Sequence, residues 1–220
     1  MTAKLGVLVA FDLFSLRRPA LEFGARIAVR EGRRLSVLVV ENIELWHAAS
    51  LPWAREIDRL CGQVLPLEAS RLEALGQRKI AQVRRWLVEI ETRLALPGGL
   101  EIRRGRYLEE AYATVREGDL LIFGAYRERV AGASPIWVWY DGGPLAERAL
   151  AVGRELAREE GSRLVLAGPV ALPGGEFIAA DAEGFLDLLE RQGCSAVVCP
   201  RTSSLAKILP LKARCPVILV

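Results

Sequence analysis

The sequence predicts an α/β fold: two units in tandem, each built on a buried parallel sheet. Two observations lead there. Short apolar runs alternate along the chain with amphipathic helical stretches, the pattern of βαβ units whose strands are covered on both faces. The chain also matches itself without a gap, Val7–Leu38 against Ile136–Ala167, at an offset of 129 residues. Identical pairs include Asp12/Asp141, Leu16/Leu145, Ala20/Ala149, Leu21/Leu150, Gly24/Gly153, Ala28/Ala157, Glu31/Glu160, Gly32/Gly161, Arg34/Arg163 and Leu35/Leu164. Such a series is duplication rather than chance.

Each copy opens with an apolar strand ending in Asp, continues as a helix, breaks at Gly and resumes as a strand. The first half predicts strand 5–11, helix 16–31, strand 35–41, a long helix 67–96, strand 100–104, helix 107–117 and strand 119–124. The second predicts strand 135–140, helix 144–160, strand 163–168, a possible strand 176–180, helix 182–192, strand 195–199, a short helix near 203–209 and strand 216–220. Leu16, Ala20, Phe23, Gly24, Ile27 and Ala28 recur at helical spacing and face the sheet. Leu72, Leu75, Val83, Leu87, Ile90 and Leu94 form the stripe of the long helix, which Pro97-Gly98-Gly99 stops. Gly24 and Gly153 allow close helix approach, and Gly32 and Gly161 stand where a C-cap wants a left-handed residue.

Two stretches are awkward. Only Pro169–Gly175 separates strand 163–168 from residues 176–180, and adjacent parallel strands need a longer crossover. Glu176–Ala180 is therefore expected to run antiparallel, to pair elsewhere, or not to be a strand. After Gly124 too few residues precede Ser134 for another helix and strand, so the first copy has no fifth strand of its own. The expected units are 1–133 and 134–220.

Composition narrows the function. Over 220 residues with 51% hydrophobic content, a real core is expected, not disorder. No apolar run reaches membrane-spanning length, and Met1–Leu16 lacks a signal-peptide pattern, so a cytoplasmic protein without membrane insertion is expected. The net charge is +3, with 26 arginines against 4 lysines. The arginines alternate with acids along the helices, which argues against nucleic acid. Cys61, Cys194, Cys199 and Cys215 form no C-x-x-C pair, and His47 is the single histidine. Buried free thiols are expected, with no zinc site and no Ser-His-Asp or Cys-His chemistry. No P-loop is present, and Glu109-Glu110 and Glu159-Glu160 read as helix surface. No catalytic constellation is visible.

The pattern resembles the universal stress protein family in tandem form. The resemblance lies in the openings VLVAFD and IWVWYDGG, in Ile102-Arg103-Arg104-Gly105 followed by a helix and GDLLIFG, and in the closing Cys215-Pro216-Val217-Ile218-Leu219-Val220. It covers most of the chain apart from residues 43–66. It implies two Rossmann-like, adenine nucleotide alpha hydrolase-like sheets, both incomplete relative to the family, and a homodimer paired through strand 216–220. It also implies a site at the carboxyl ends of the strands, where Asp12 and Asp141 stand.

In the family's nucleotide-binding branch such an Asp contacts adenosine, and a Gly-x2-Gly-x9-Gly-Ser/Thr loop holds the phosphates. Here Gly124 alone survives in the first copy, with Arg127 at the second glycine position. The other copy reads Cys199-Pro200-Arg201-Thr202-Ser203-Ser204, without glycine. Binding of ATP or AMP is therefore expected to be lost, and no cofactor is expected. The residues left for a residual anion site are Asp12, Gly124, Arg127, Asp141, Gly142, Arg201, Thr202 and Ser203, with Arg129 and Lys207 nearby. Thr202 or Ser203 would cap the short helix, Asp141-Gly142-Gly143 would form a turn capping the helix at Pro144, and the bulky Leu13-Phe14 would plug the first pocket. Trp46, Leu51, Pro52 and Trp53 form either a lid or an exposed patch, which the exposure of Trp53 decides.

The expected function is a non-catalytic regulatory module of stress-response type acting on an unknown protein partner. The alternative is an adenine-nucleotide sensor using the pocket near Asp141 or Asp12.

Overall fold

The computed structural model describes residues 5–57, 62–124, 134–170 and 176–220. In chain order the elements are β1 (Gly6–Asp12), α1 (Arg18–Arg30), β2 (Arg34–Asn42), α2 (Ile43–Ala49), β3 (Arg55–Ile57), β4 (Val64–Pro66), α3 (Ala69–Leu94), β5 (Gly98–Gly105), α4 (Tyr107–Thr114) and β6 (Leu120–Phe123). The second half holds β7 (Ile136–Trp139), α5 (Pro144–Glu160), β8 (Leu164–Gly168), β9 (Phe177–Ala179), α6 (Ala182–Gln192), β10 (Ala196–Cys199), α7 (Leu209–Lys212) and β11 (Val217–Leu219). Short 3-10 turns cover Leu13–Ser15 and Ser204–Lys207.

Apart from the β3–β4 hairpin, the strands form one sheet in the order β5-β2-β1-β6-β11-β10-β7-β8-β9. Pairing is parallel throughout except at β6–β11, which is antiparallel. Helices α1, α3 and α5 cover one face around Val9, Ile122, Val138 and Ile218. Helices α4, α6 and α7 cover the other around Leu121, Trp137, Phe185 and Leu219. The central strands are buried on both faces, which is why they read as unbroken apolar runs.

The segments β1–α1–β2 and β7–α5–β8 adopt the same arrangement, down to single contacts. A Cβ placed on Gly24 would collide with Val9 Cγ2, and one on Gly153 would collide with Val138 Cγ2, each at the same offset along the chain. Gly32 (φ 60°) and Gly161 (φ 59°) both turn left-handed at the helix ends.

Three expectations change. The strand at 177–179 runs parallel to β8, with Leu166 opposite Phe177 and Gly168 opposite Ala179. The link can be short because the paired register spans only three residues. Residues 169–176, at about 3.3 Å each when extended, reach well beyond that length. Helix α4 stops at Thr114 rather than 117, because Val115 turns extended (ψ 134°) and Gly118 takes φ 81° in the following turn.

The homodimer through 216–220 loses its basis. β11 is already hydrogen-bonded on both sides, to β10 in parallel and to β6 in antiparallel, and its side chains are fully buried. One fifth strand closes both halves of the sheet within the chain. Among the described residues no helix is long and apolar enough to cross a membrane.

The glycine contacts give a stability test. Gly24→Ala should destabilise the protein by about 1–3 kcal/mol through overpacking against Val9. In urea unfolding, the double variant Gly24→Ala/Val9→Ala should lose less than the sum of the two single losses.

Candidate functional site

In open α/β sheets the ligand crevice opens at the carboxyl strand ends where the strand order reverses. That point lies between β1 and β6 in the first half and between β7 and β10 in the second. Because β6 and β11 are antiparallel, the two crevices open at opposite ends of the sheet. Asp12 and Gly124 therefore never meet Asp141, Gly142, Arg201, Thr202 and Ser203.

The first crevice is filled by the chain itself. Asp12 accepts a hydrogen bond from the Phe14 amide at 3.0 Å and caps the turn that follows. That turn drives Leu13 to full burial. Above it runs α3, where a Cβ on Gly76 would press on Leu13 Cδ2 at 3.2 Å. Gly124 is glycine for packing, since a Cβ there would lie 2.8 Å from Phe11 Cε1. Tyr107 closes the other side, its hydroxyl donating to the Ala10 carbonyl at 2.8 Å, and burial holds its phenol far above the ordinary range. Burial also raises the Asp12 carboxyl, against the pull of its backbone hydrogen bonds. Arg127 and Arg129 lie outside the described residues.

The second crevice is built differently. Asp141 accepts from the Gly143 amide at 3.2 Å, which makes it a turn residue, while Gly143 itself is the N-cap of α5. Gly142 takes φ 82° and rests against Val170. Ser203 caps the 3-10 turn, its Oγ accepting from the Leu205 amide at 3.2 Å. Thr202 and Lys207 are exposed. Cys199 is a buried free thiol pushed up to about 12 by burial, with the Asp141 charge adding to the shift; at neutral pH it is not a nucleophile.

Arg201 is hydrogen-bonded within the chain. Its guanidinium donates to the carbonyls of Arg116 (3.1 Å) and Asp119 (3.0 Å) in the turn that precedes β6. Arg33 and Arg148 donate to the Gly118 carbonyl of the same turn at 2.9 and 2.7 Å. Three arginines, two of them from the second half, thus grip one turn of the first. Burial, followed by the nearby Arg33 charge, lowers the Arg148 guanidinium. Alongside, Arg30 of α1 pairs with Glu155 and Glu159 of α5 at 3.2 and 3.1 Å. Of these arginines, sequence reasoning singled out Arg201 alone, as a candidate for an anion site. Nothing in their spacing marks three distant residues as converging.

The Trp-rich segment is split. Trp46 stacks on Arg104 at 4.5 Å, whereas Trp53 is 71% exposed, with Leu51 beside it and Ile57 and Val64 of the adjoining β3–β4 hairpin exposed as well. It is a surface feature and not a lid. His47 is exposed on α2. Among the described residues no cluster of His, Cys, Asp or Glu could hold a metal ion.

Cys194 and Cys215, expected as free thiols, form a disulfide with a Cα–Cα distance of 5.9 Å. Each precedes one of the adjacent parallel strands β10 and β11, so their pairing places the two cysteines side by side. Cys61 lies outside the described residues.

No family model matches the chain, and no curated protein matches it. Among solved structures, a universal stress protein from Archaeoglobus fulgidus DSM 4304 is similar over 97% of this chain and 97% of that chain, with a TM-score of 0.49 and 10% identity. That likeness carries no functional weight here.

Two predictions follow from the geometry. Reducing the disulfide, or replacing Cys194 and Cys215 by Ser, should cost about 3 kcal/mol of stability in denaturant titrations. Because the folded Asp12 pKa lies above its unfolded value of 3.8, the folded state binds more protons between the two values. The contribution of Asp12 to stability is therefore present at low pH and falls as pH rises through that window. Asp12→Asn should flatten this fall in unfolding curves taken at stepped pH.

Proposed function

We propose that this chain is a non-catalytic regulatory module, universal-stress-protein-like and of stress-response type, built from two copies of one unit (1–133 and 134–220). It acts through protein contact and does not hold ATP at the strand ends. The observation that carries this reading is Arg201. The side chain that follows β10 and would meet a phosphate there directs two of its N–H donors to the Arg116 and Asp119 carbonyls. Leu13 and α3 support it, since they occupy the crevice beside Asp12. The exposed Leu51, Trp53, Ile57 and Val64 supply apolar contact surface of the kind that proteins use to bind one another.

Thermal unfolding with ATP and with AMP tests the loss of binding. A ligand at a hundred times its Kd adds about 2.7 kcal/mol, which is roughly 5–10 °C for a chain of this size. No such shift is expected, nor any nucleotide absorbance released on denaturing the purified protein; either would overturn the reading. Arg201→Ala should lower stability by about 1–3 kcal/mol, because two carbonyls lose a charged donor.

A further inference from the structure

β5 stands at one end of the sheet order, with its outer edge unpaired among the described residues. It pairs with β2 without interruption from Leu35 opposite Gly98 to Asn42 opposite Gly105. The other strands with an unpaired edge among the described residues, β9, β3 and β4, have three residues each. An eight-residue edge with neither proline nor bulge is what natural sheets usually shorten, kink or cover.

The side chains of β5 alternate between faces. Glu101 and Arg103 share one face with Gly99 and Gly105, and Leu100, Ile102 and Arg104 share the other. Arg103 donates to Glu101 at 2.6 Å and also pairs with Glu110 of α4 at 3.5 Å. Ile102 is 37% exposed in the middle of the strand. Charges on an edge normally repel a second strand. Here opposite charges stand two residues apart on one face, so the edge read backwards is its own complement.

We propose that β5 is a self-pairing edge, joining two copies of the chain antiparallel about a two-fold axis at Ile102. The partner is a second copy because the charge order fits itself. In this register Glu101 faces the partner's Arg103, Arg103 faces the partner's Glu101, and Ile102 faces the partner's Ile102. A slip of one residue would set opposing side chains on different faces. A slip of two in either direction sets Glu101 against the partner's Glu101, or Arg103 against the partner's Arg103, and like charges directly opposite destabilise. The contact is isologous and closed, as a two-fold dimer requires. It rests on the β5 edge and not on the nucleotide reading.

Light scattering and sedimentation of the full chain across a micromolar concentration series test the proposal. The wild type is expected at twice 24.2 kDa. Glu101→Arg or Arg103→Glu alone should weaken association roughly tenfold or more, and the double exchange Glu101→Arg/Arg103→Glu should restore it. Ile102→Cys in a Cys61→Ser background should oxidise to a covalent dimer on a non-reducing gel. Circular dichroism and thermal unfolding report that these surface variants remain folded. A wild type that stays monomeric throughout, or a dimer indifferent to both single charge reversals, overturns the proposal. A double exchange that fails to restore the dimer, or an Ile102→Cys variant that does not cross-link, overturns the register.

Discussion

The antiparallel ladder between β6 and β11, with Val217 opposite Phe123 and Leu219 opposite Leu121, is, among the described residues, the single place where strands of the two halves pair. Three residues of β11 also pair with β10 on the other side, so one short strand satisfies the backbone of both neighbours. A buried strand end with unpaired amides would cost several kcal/mol. Among the described residues the first half has no fifth strand of its own, and β11 of the second half pairs with β6 in its place. Around that ladder the arginine grip on the 116–119 turn and the Arg30 pairs with α5 add polar links between the halves.

This seam has a functional consequence. Reversing strand direction in mid-sheet sends the two carboxyl-end crevices to opposite edges of the molecule. It also places the second crevice beside the turns at the amino ends of the first half. Arg201 reaches across that boundary and is consumed as a structural donor. The first crevice is consumed differently, by the Leu13 plug and the α3 helix above it.

Much of the element pattern was legible because local rules decided it. Gly24 and Gly153 were read as points of close approach, and both lie where a Cβ would strike a valine on the neighbouring strand. Gly161 was read as a C-cap and is one, at φ 59°. The direction of β9 was misjudged because the rule for parallel crossovers assumes strands of ordinary length, and a three-residue register relaxes it. The pairing of Cys194 with Cys215 was missed because their separation of 21 residues says nothing until β10 and β11 are known to be neighbours. Of the site residues, Ser203 behaved as the cap its type suggests, while Asp141 became a turn residue without capping α5.

By itself the sequence determined the strands of the large sheet, most of the helices, the repeated βαβ segment and the absence of a phosphate-cradling glycine loop, but not α2, β3 or β4. These depend on periodicity, on residues with special backbone freedom and on residue types within a few positions of one another. Only the tertiary structure decided that β11 closes both halves, that three arginines donate to backbone carbonyls, that Trp53 and the β3–β4 hairpin expose apolar side chains, and that β5 is left with a long open edge among the described residues. Each of these depends on which distant segments become neighbours. A guanidinium or a strand edge has the same sequence signature whether its partner is water, a carbonyl or another chain.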